Sequence, residues 1–161
     1  MYHIFNFFKS RQPKPKTEPK TEPKPVPKPE PEPKIDTRFY YLSLILEDNN
    51  KWSIHGFWPQ YSQSKYPQFC HAVTFDPSLL DPIKQQLDEY WYSDRESNDK
   101  FWEHEWKKHG SCVFTKMNEY EYFKKTLELF QKVNGTNIIN QFKIGDSKSM
   151  IPFDLNFNLK N

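Results

Sequence analysis

From Lys9 to Lys34 the chain alternates proline with lysine and glutamate, and repeats Thr-Glu-Pro-Lys at Thr17–Lys20 and Thr21–Lys24. Proline removes a backbone donor and fixes φ, and the charges between the prolines have nothing apolar to bury. Such a tract cannot join a core. It reads as a disordered, semi-rigid polyproline linker over residues 9–35. The Pro-x-x-Pro spacing inside it is nearly automatic in so biased a stretch and says little about SH3-type partners. Folding is therefore left to residues 36–161, which is room for one domain. Ahead of the linker, Met1–Phe8 is aromatic and uncharged. It lacks the basic start, the longer apolar run and the small-residue cleavage site of a secretory leader, so no signal peptide is legible. It reads as a short terminal peptide that docks, anchors weakly or hangs loose.

An aromatic content of 17% supplies a core although only 35% of residues are hydrophobic. No stretch approaches the roughly 20 apolar residues of a membrane span. The net charge of +2 hides a split. The linker carries eight Lys and Arg against four Glu, which leaves the rest at −2, with 15 Lys and Arg against 17 Asp and Glu. The folding part is not a basic duplex-binding surface, and DNA is not expected as a partner.

Chemistry concentrates between Phe101 and Cys112, where two histidines, two glutamates, two lysines and a cysteine fall within one segment. Asn98 or Ser97 can cap a helix there, nothing β-branched interrupts it, and Gly110 offers a left-handed stop. Glu105 and His109 then share a face, with Lys108 beside them. Three readings compete. A zinc site needs its second histidine four residues after the first, and here it comes five later, about 140° around the helix. A packing helix explains Trp102 and Trp106 but not the crowd of titratable groups. General acid and base chemistry on a phosphate needs a second cluster elsewhere.

That cluster is Trp52–Pro59. Its alternation reads as a short strand with Ser53 and His55 on one face and Trp52 and Ile54 on the other, Gly56 for close approach, and Pro59 ending the pairing. Phe39–Leu46 is an apolar run suited to a partner strand, with turn residues at Glu47–Asn50. Asp81 and Pro82 start a helix that turns Ile83, Leu87, Tyr90 and Trp91 inward. A further helix runs from about Asn118 to Asn134, with Tyr120, Phe123, Leu127 and Phe130 inward and Gly135 as its stop. Every second residue from Ile151 to Leu159 is apolar, which reads as a half-buried strand. The expected class is α+β, a small antiparallel β-sheet flanked by helices.

His-Gly-Phe-Trp-Pro at His55–Pro59, followed by Trp-Glu-His-Glu-Trp-Lys-Lys-His-Gly-Ser-Cys at Trp102–Cys112, resembles the paired active-site segments of the ribonuclease T2 family. The resemblance covers roughly Phe39 to Val133. It implies a monomeric endoribonuclease that cleaves single-stranded RNA without metal or other cofactor, leaving 2′,3′-cyclic phosphate ends. It implies His109 as general base and His55 as general acid, roles that suit a side chain titrating near 6.5. Lys108 would stabilise charge on the phosphorus oxygens, Glu105 would hold Lys108 and His109 and favour their charged forms, and His104 would bind phosphate. Trp58, Gln60, Tyr66 and Phe101 stand at the base-binding positions. Trp58 as core and Tyr66 as a loop aromatic are the plainer alternatives.

Cys70 and Cys112 fall where the family has its most widespread disulfide. Such a bridge points to a secreted or otherwise oxidising setting, against the missing leader. The chain departs from the family in three places. Usual members have a Gln-Trp-Pro segment, another cysteine and a longer excursion after the first strand, where this chain has Glu47 and an immediate turn. An acid that reads adenine in some fungal members is replaced by Gln60. Members usually continue through further strands after the point where this chain stops, so it is expected to be a minimal or truncated version. A T2-like protein that binds RNA or a partner without turnover, and an adaptor working through the proline tract, are the rival readings.

Overall fold

The computed structural model describes residues 35–160. The terminal peptide 1–8 and nearly all of the proline-rich linker 9–35 lie outside the described residues. Phe39–Leu46 forms strand β1 over the whole apolar run. It is central: β1 pairs antiparallel with β2 (Trp52–Gln60) on one side and β4 (Lys148–Phe153) on the other. β3 (Lys143–Ile144) lies beyond β4, giving the order β2-β1-β4-β3. Between β1 and β2 the chain turns at once, with Asn50 at φ 61°, a conformation its short polar side chain tolerates.

Period-2 alternation sorts the two sheet faces. Tyr40, Leu42, Leu44, Ile151 and Phe153 enter the core, while Ser43, Ile45, Lys148 and Met150 point the other way. In β2 the alternation is broken on purpose. Ile54 pairs with Leu44 and Gly56 with Ser43, so His55 is the extra residue of a β-bulge. The bulge allows Ile54 and Phe57, three apart, both to reach the core, and it turns His55 out of the ladder. Nor does Pro59 end the strand, as the sequence suggests. β2 is an edge strand, where a missing N–H is tolerated, and pairing runs on to Gln60.

The helices pack against the core face. Asp76 caps a 3₁₀ segment, Pro77–Ile83, which runs into helix α1 (Lys84–Tyr90). The helical stretch therefore starts before Asp81, but α geometry waits until after Pro82, which has no N–H to donate. Helix α2 is Asn98–Lys108. Asn98 ties down the preceding loop, accepting from Ser93 N at 3.1 Å and donating to Asp88 at 2.8 Å. Gly110 is not the left-handed stop expected of it. It opens a 3₁₀ turn, Gly110–Cys112, without a positive φ. Glycine is needed there because a Cβ would run into the Trp106 ring.

Helix α3 (Glu119–Val133) opens on a capping box between Asn118 and Glu121, and Gly135 at φ 75° follows its end. Tyr120 packs half-buried against the core as expected, and Tyr122 joins it on the inward face. Tyr122 is fully buried and donates to Phe57 O at 2.8 Å. Helix α4 (Ile138–Gln141) and β3 carry too few residues to have shown a period. The last strand is β4 itself, not Ile151–Leu159. Asp154 accepts from Asn156 N and Asn158 N, the chain reverses, and Leu159 pairs back on Phe153. The apolar alternation persists across that reversal because Leu155, Phe157 and Leu159 all pack against the core. Cys70 and Cys112 form a disulfide. Among the described residues no helix is long and apolar enough to cross a membrane.

Candidate active site

Beside the edge strand β2, on the sheet face turned away from the helical core, lies a cleft of about 610 Å³. His55, Trp58, Gln60, Tyr66, Phe101, His104, Glu105, Lys108 and His109 all line it. Two elements supply most of them: the bulged strand and the last two turns of α2.

The Trp58 indole joins the two clusters. Its ring centroid lies 5.0 Å from the His55 imidazole, edge on, and 5.2 Å from the His109 imidazole, nearly stacked. Its Nε1–H donates to Glu105 Oε2 at 2.9 Å. That contact depends on Gly56, where a Cβ would strike both the Glu105 carboxylate and the indole nitrogen. Glu105, expected to hold Lys108 and His109, has the indole as its hydrogen-bond partner. Lys107 pairs with Glu103 along the helix, while Lys108 has no ion pair among the described residues. Helical spacing accounts for this, since Lys107 faces the outer side and Lys108 the cleft.

Burial governs the titrations. It lifts the Glu105 carboxyl to about 7, against the Trp58 hydrogen bond and the Lys108 charge, both of which favour the anion. Burial also lowers His109 to about 3, helped by the positive charges of Lys108, His104 and His55. His109 Nδ1 is buried with no hydrogen-bond partner among the described residues, so nothing there supports an imidazolium. His55 falls to about 4, again through burial first, then Lys148, Lys108, Arg95 and His104. The site thus holds two neutral imidazoles next to a carboxyl that keeps its proton into the neutral range.

Of the base-binding candidates, Gln60 is buried, Trp58 and Phe101 are half-buried, and Tyr66 is exposed. Phe101 lies 6.2 Å from His55, ring to ring. Glu47 also lines the cleft and accepts from the Ser53 hydroxyl. Two features escaped the sequence reading. One is the loop from Tyr92 to Glu96, which carries Arg95 into the cleft wall. The other is Lys148, whose Nζ sits 5.4 Å over the Trp58 ring. Extending the alternation of Ile151 and Phe153 back to Lys148 would have put it on this face.

A model of the Ribonuclease T2 family matches residues 35–152. The chain belongs to the ribonuclease T2 family. Ribonuclease DdI of Dictyostelium discoideum is 31% identical over 113 residues, which are 68% of this chain and 51% of that protein. Ribonuclease Oy of Magallana gigas is 39% identical over 106 residues, 61% of this chain and 49% of that one. This T2-family chain spans about half the length of these curated relatives. Ribonuclease MC1 from bitter gourd seeds shares the fold at a TM-score of 0.64 and 17% identity, covering 76% of this chain and 92% of that one.

Proposed function

We propose that the protein is an endoribonuclease that cleaves single-stranded RNA by internal transphosphorylation. His109, neutral in the free site, takes the proton of the ribose 2′-hydroxyl, and the 2′-oxygen attacks phosphorus. The bond from phosphorus to the 5′-oxygen breaks, and His55 as imidazolium gives that oxygen its proton. The products are a 2′,3′-cyclic phosphate and a free 5′-hydroxyl. Lys108 and His104 stabilise the negative charge that grows on the phosphorus oxygens, an effect larger in the transition state than in the ground state. Trp58, Tyr66 and Phe101 stack the flanking bases, which suits loose sequence preference.

The observation that carries this reading is the single indole flanked by both imidazoles above a buried carboxyl. Burial holds His109 below its ordinary range, so it starts neutral, as a base toward the 2′-hydroxyl must. One test is incubation of the oxidised protein with RNA in EDTA and mass analysis of the fragments. Cyclic-phosphate ends are expected from the wild type and none from His55→Ala or His109→Ala. Wild-type rates in both variants would overturn the mechanism. RNA retained intact by a binding-competent protein would favour a T2-like binder without turnover.

A further inference from the structure

Three residues beyond Tyr66, the same loop holds Phe69 in an unusual state. Its side chain is 57% exposed and its backbone sits at φ 50°. An exposed phenylalanine alone calls for no explanation. A bulky residue in the left-handed region does, since its Cβ crowds the following carbonyl and the conformation persists only where the surroundings enforce it.

The surroundings do enforce it. Phe69 N–H donates to Lys108 O at 2.9 Å, Cys70 N–H donates to Ser111 Oγ at 3.1 Å, and the next bond along is the disulfide to Cys112. The loop is thus clamped to the end of α2, the segment that carries Lys108 and His109 into the cleft. Phe157, also left-handed at φ 64°, makes an instructive contrast. Its ring stacks at 5.7 Å on buried Tyr40, so core packing offsets its strain. Phe69 has no such return. Its one aromatic neighbour among the described residues is His104, 6.2 Å away and edge on.

We propose that Phe69 is a stacking platform for the base of a nucleotide lying outside the cleft, next to the phosphate that His104 would bind. This rests on the RNA-cleaving reading and extends it to a further subsite. The occupant follows from continuity: Tyr66 and His104 line the cleft, and Phe69 stands against His104 on its outer side. A strand leaving the cleft past His104 meets an apolar ring face, and any base can stack on it.

The test uses the full chain and oligoribonucleotides with a single 2′-deoxy sugar at the cleavage position, which bind but cannot react. Wild type is expected to bind a tetranucleotide about tenfold more tightly than a dinucleotide, as one added base stack allows. Phe69→Asn and Phe69→Leu lose that gain and keep the dinucleotide affinity, and Phe69→Tyr restores it. Phe69→Asn should also melt higher than wild type, because asparagine tolerates the left-handed backbone and little packing is lost. A length gain that survives in Phe69→Asn and Phe69→Leu overturns the subsite, as does an equal loss on the dinucleotide. Failure of the parent reading looks different: wild type would leave the matching all-ribose tetranucleotide uncut, whatever the length dependence of binding.

Discussion

Glu105 shows how one buried side chain couples stability to pH. Its folded-state pKa of about 7 stands above the ordinary 4.5. The folded protein therefore binds more protons than the unfolded chain between those values, and the contribution is full below 4.5, then lost as pH rises through 7. Glutamine copies the neutral acid and can still accept from the Trp58 indole. Glu105→Gln should match wild type in thermal melting at pH 5 and exceed it at pH 8, by up to about 3 kcal/mol. Cleavage should fall in the same variant, since glutamine cannot give up a proton to balance the imidazolium that forms when His109 takes the 2′-hydroxyl proton. Lys148 offers the complementary case. Its charge lowers His55, the acid of the proposed mechanism, so its removal lets His55 stay protonated to higher pH. Lys148→Met should shift the alkaline limb of the kcat/KM profile upward, and an unshifted limb would deny Lys148 any influence on His55.

At the scale of elements, close approach matters more than capping. The end of α2 is positioned by Gly110 under the Trp106 ring, and Trp106 is held by its indole N–H on Thr74 O at 2.9 Å. A methyl at Gly110 must push that ring or move the turn that follows His109. Gly110→Ala should destabilise the fold by about 1–3 kcal/mol in denaturant unfolding and reduce cleavage further than stability alone explains. The disulfide adds to the same clamp. Closing a loop across a sequence separation of 42 contributes roughly 4 kcal/mol by the chain-entropy model. The bulge at His55 works on the other wall, where one extra residue in an edge strand swings an imidazole out of the ladder toward the indole.

For the whole molecule the titrating groups pull in opposite directions. His55 and His109 are both depressed, so their contribution is present above the ordinary 6.5 and is lost as pH falls through about 4 and about 3. Cleavage by the proposed mechanism needs His55 charged, which puts its optimum on the acid side, where the fold is weakening. RNA or inorganic phosphate, whose anion favours an imidazolium, should raise the melting temperature at pH 4 more than at pH 7. Removal of residues 1–34 should leave the rate on short RNA unchanged, as the residues proposed to act on RNA all lie beyond them. A large loss on a dinucleotide would assign the tail a part in the site.

Much of this molecule is written in local patterns. The apolar run of β1, the amphipathic period of α3 and the two histidine segments are each decided within a few residues, because side-chain direction follows backbone period. The family resemblance carried by those two segments names many of the residues that share the cleft, though not the loop from Tyr92 to Glu96. Tertiary structure decided the rest. Only pairing with β1 reveals the bulge at His55, only the packed helix end shows why residue 110 is glycine, and only burial sets the Glu105 and His109 titrations. Strand register brings Lys148 over the Trp58 ring, and a clamped loop brings Phe69 beside His104. These are long-range facts, carried by contacts between segments far apart in the chain, and no local window contains them.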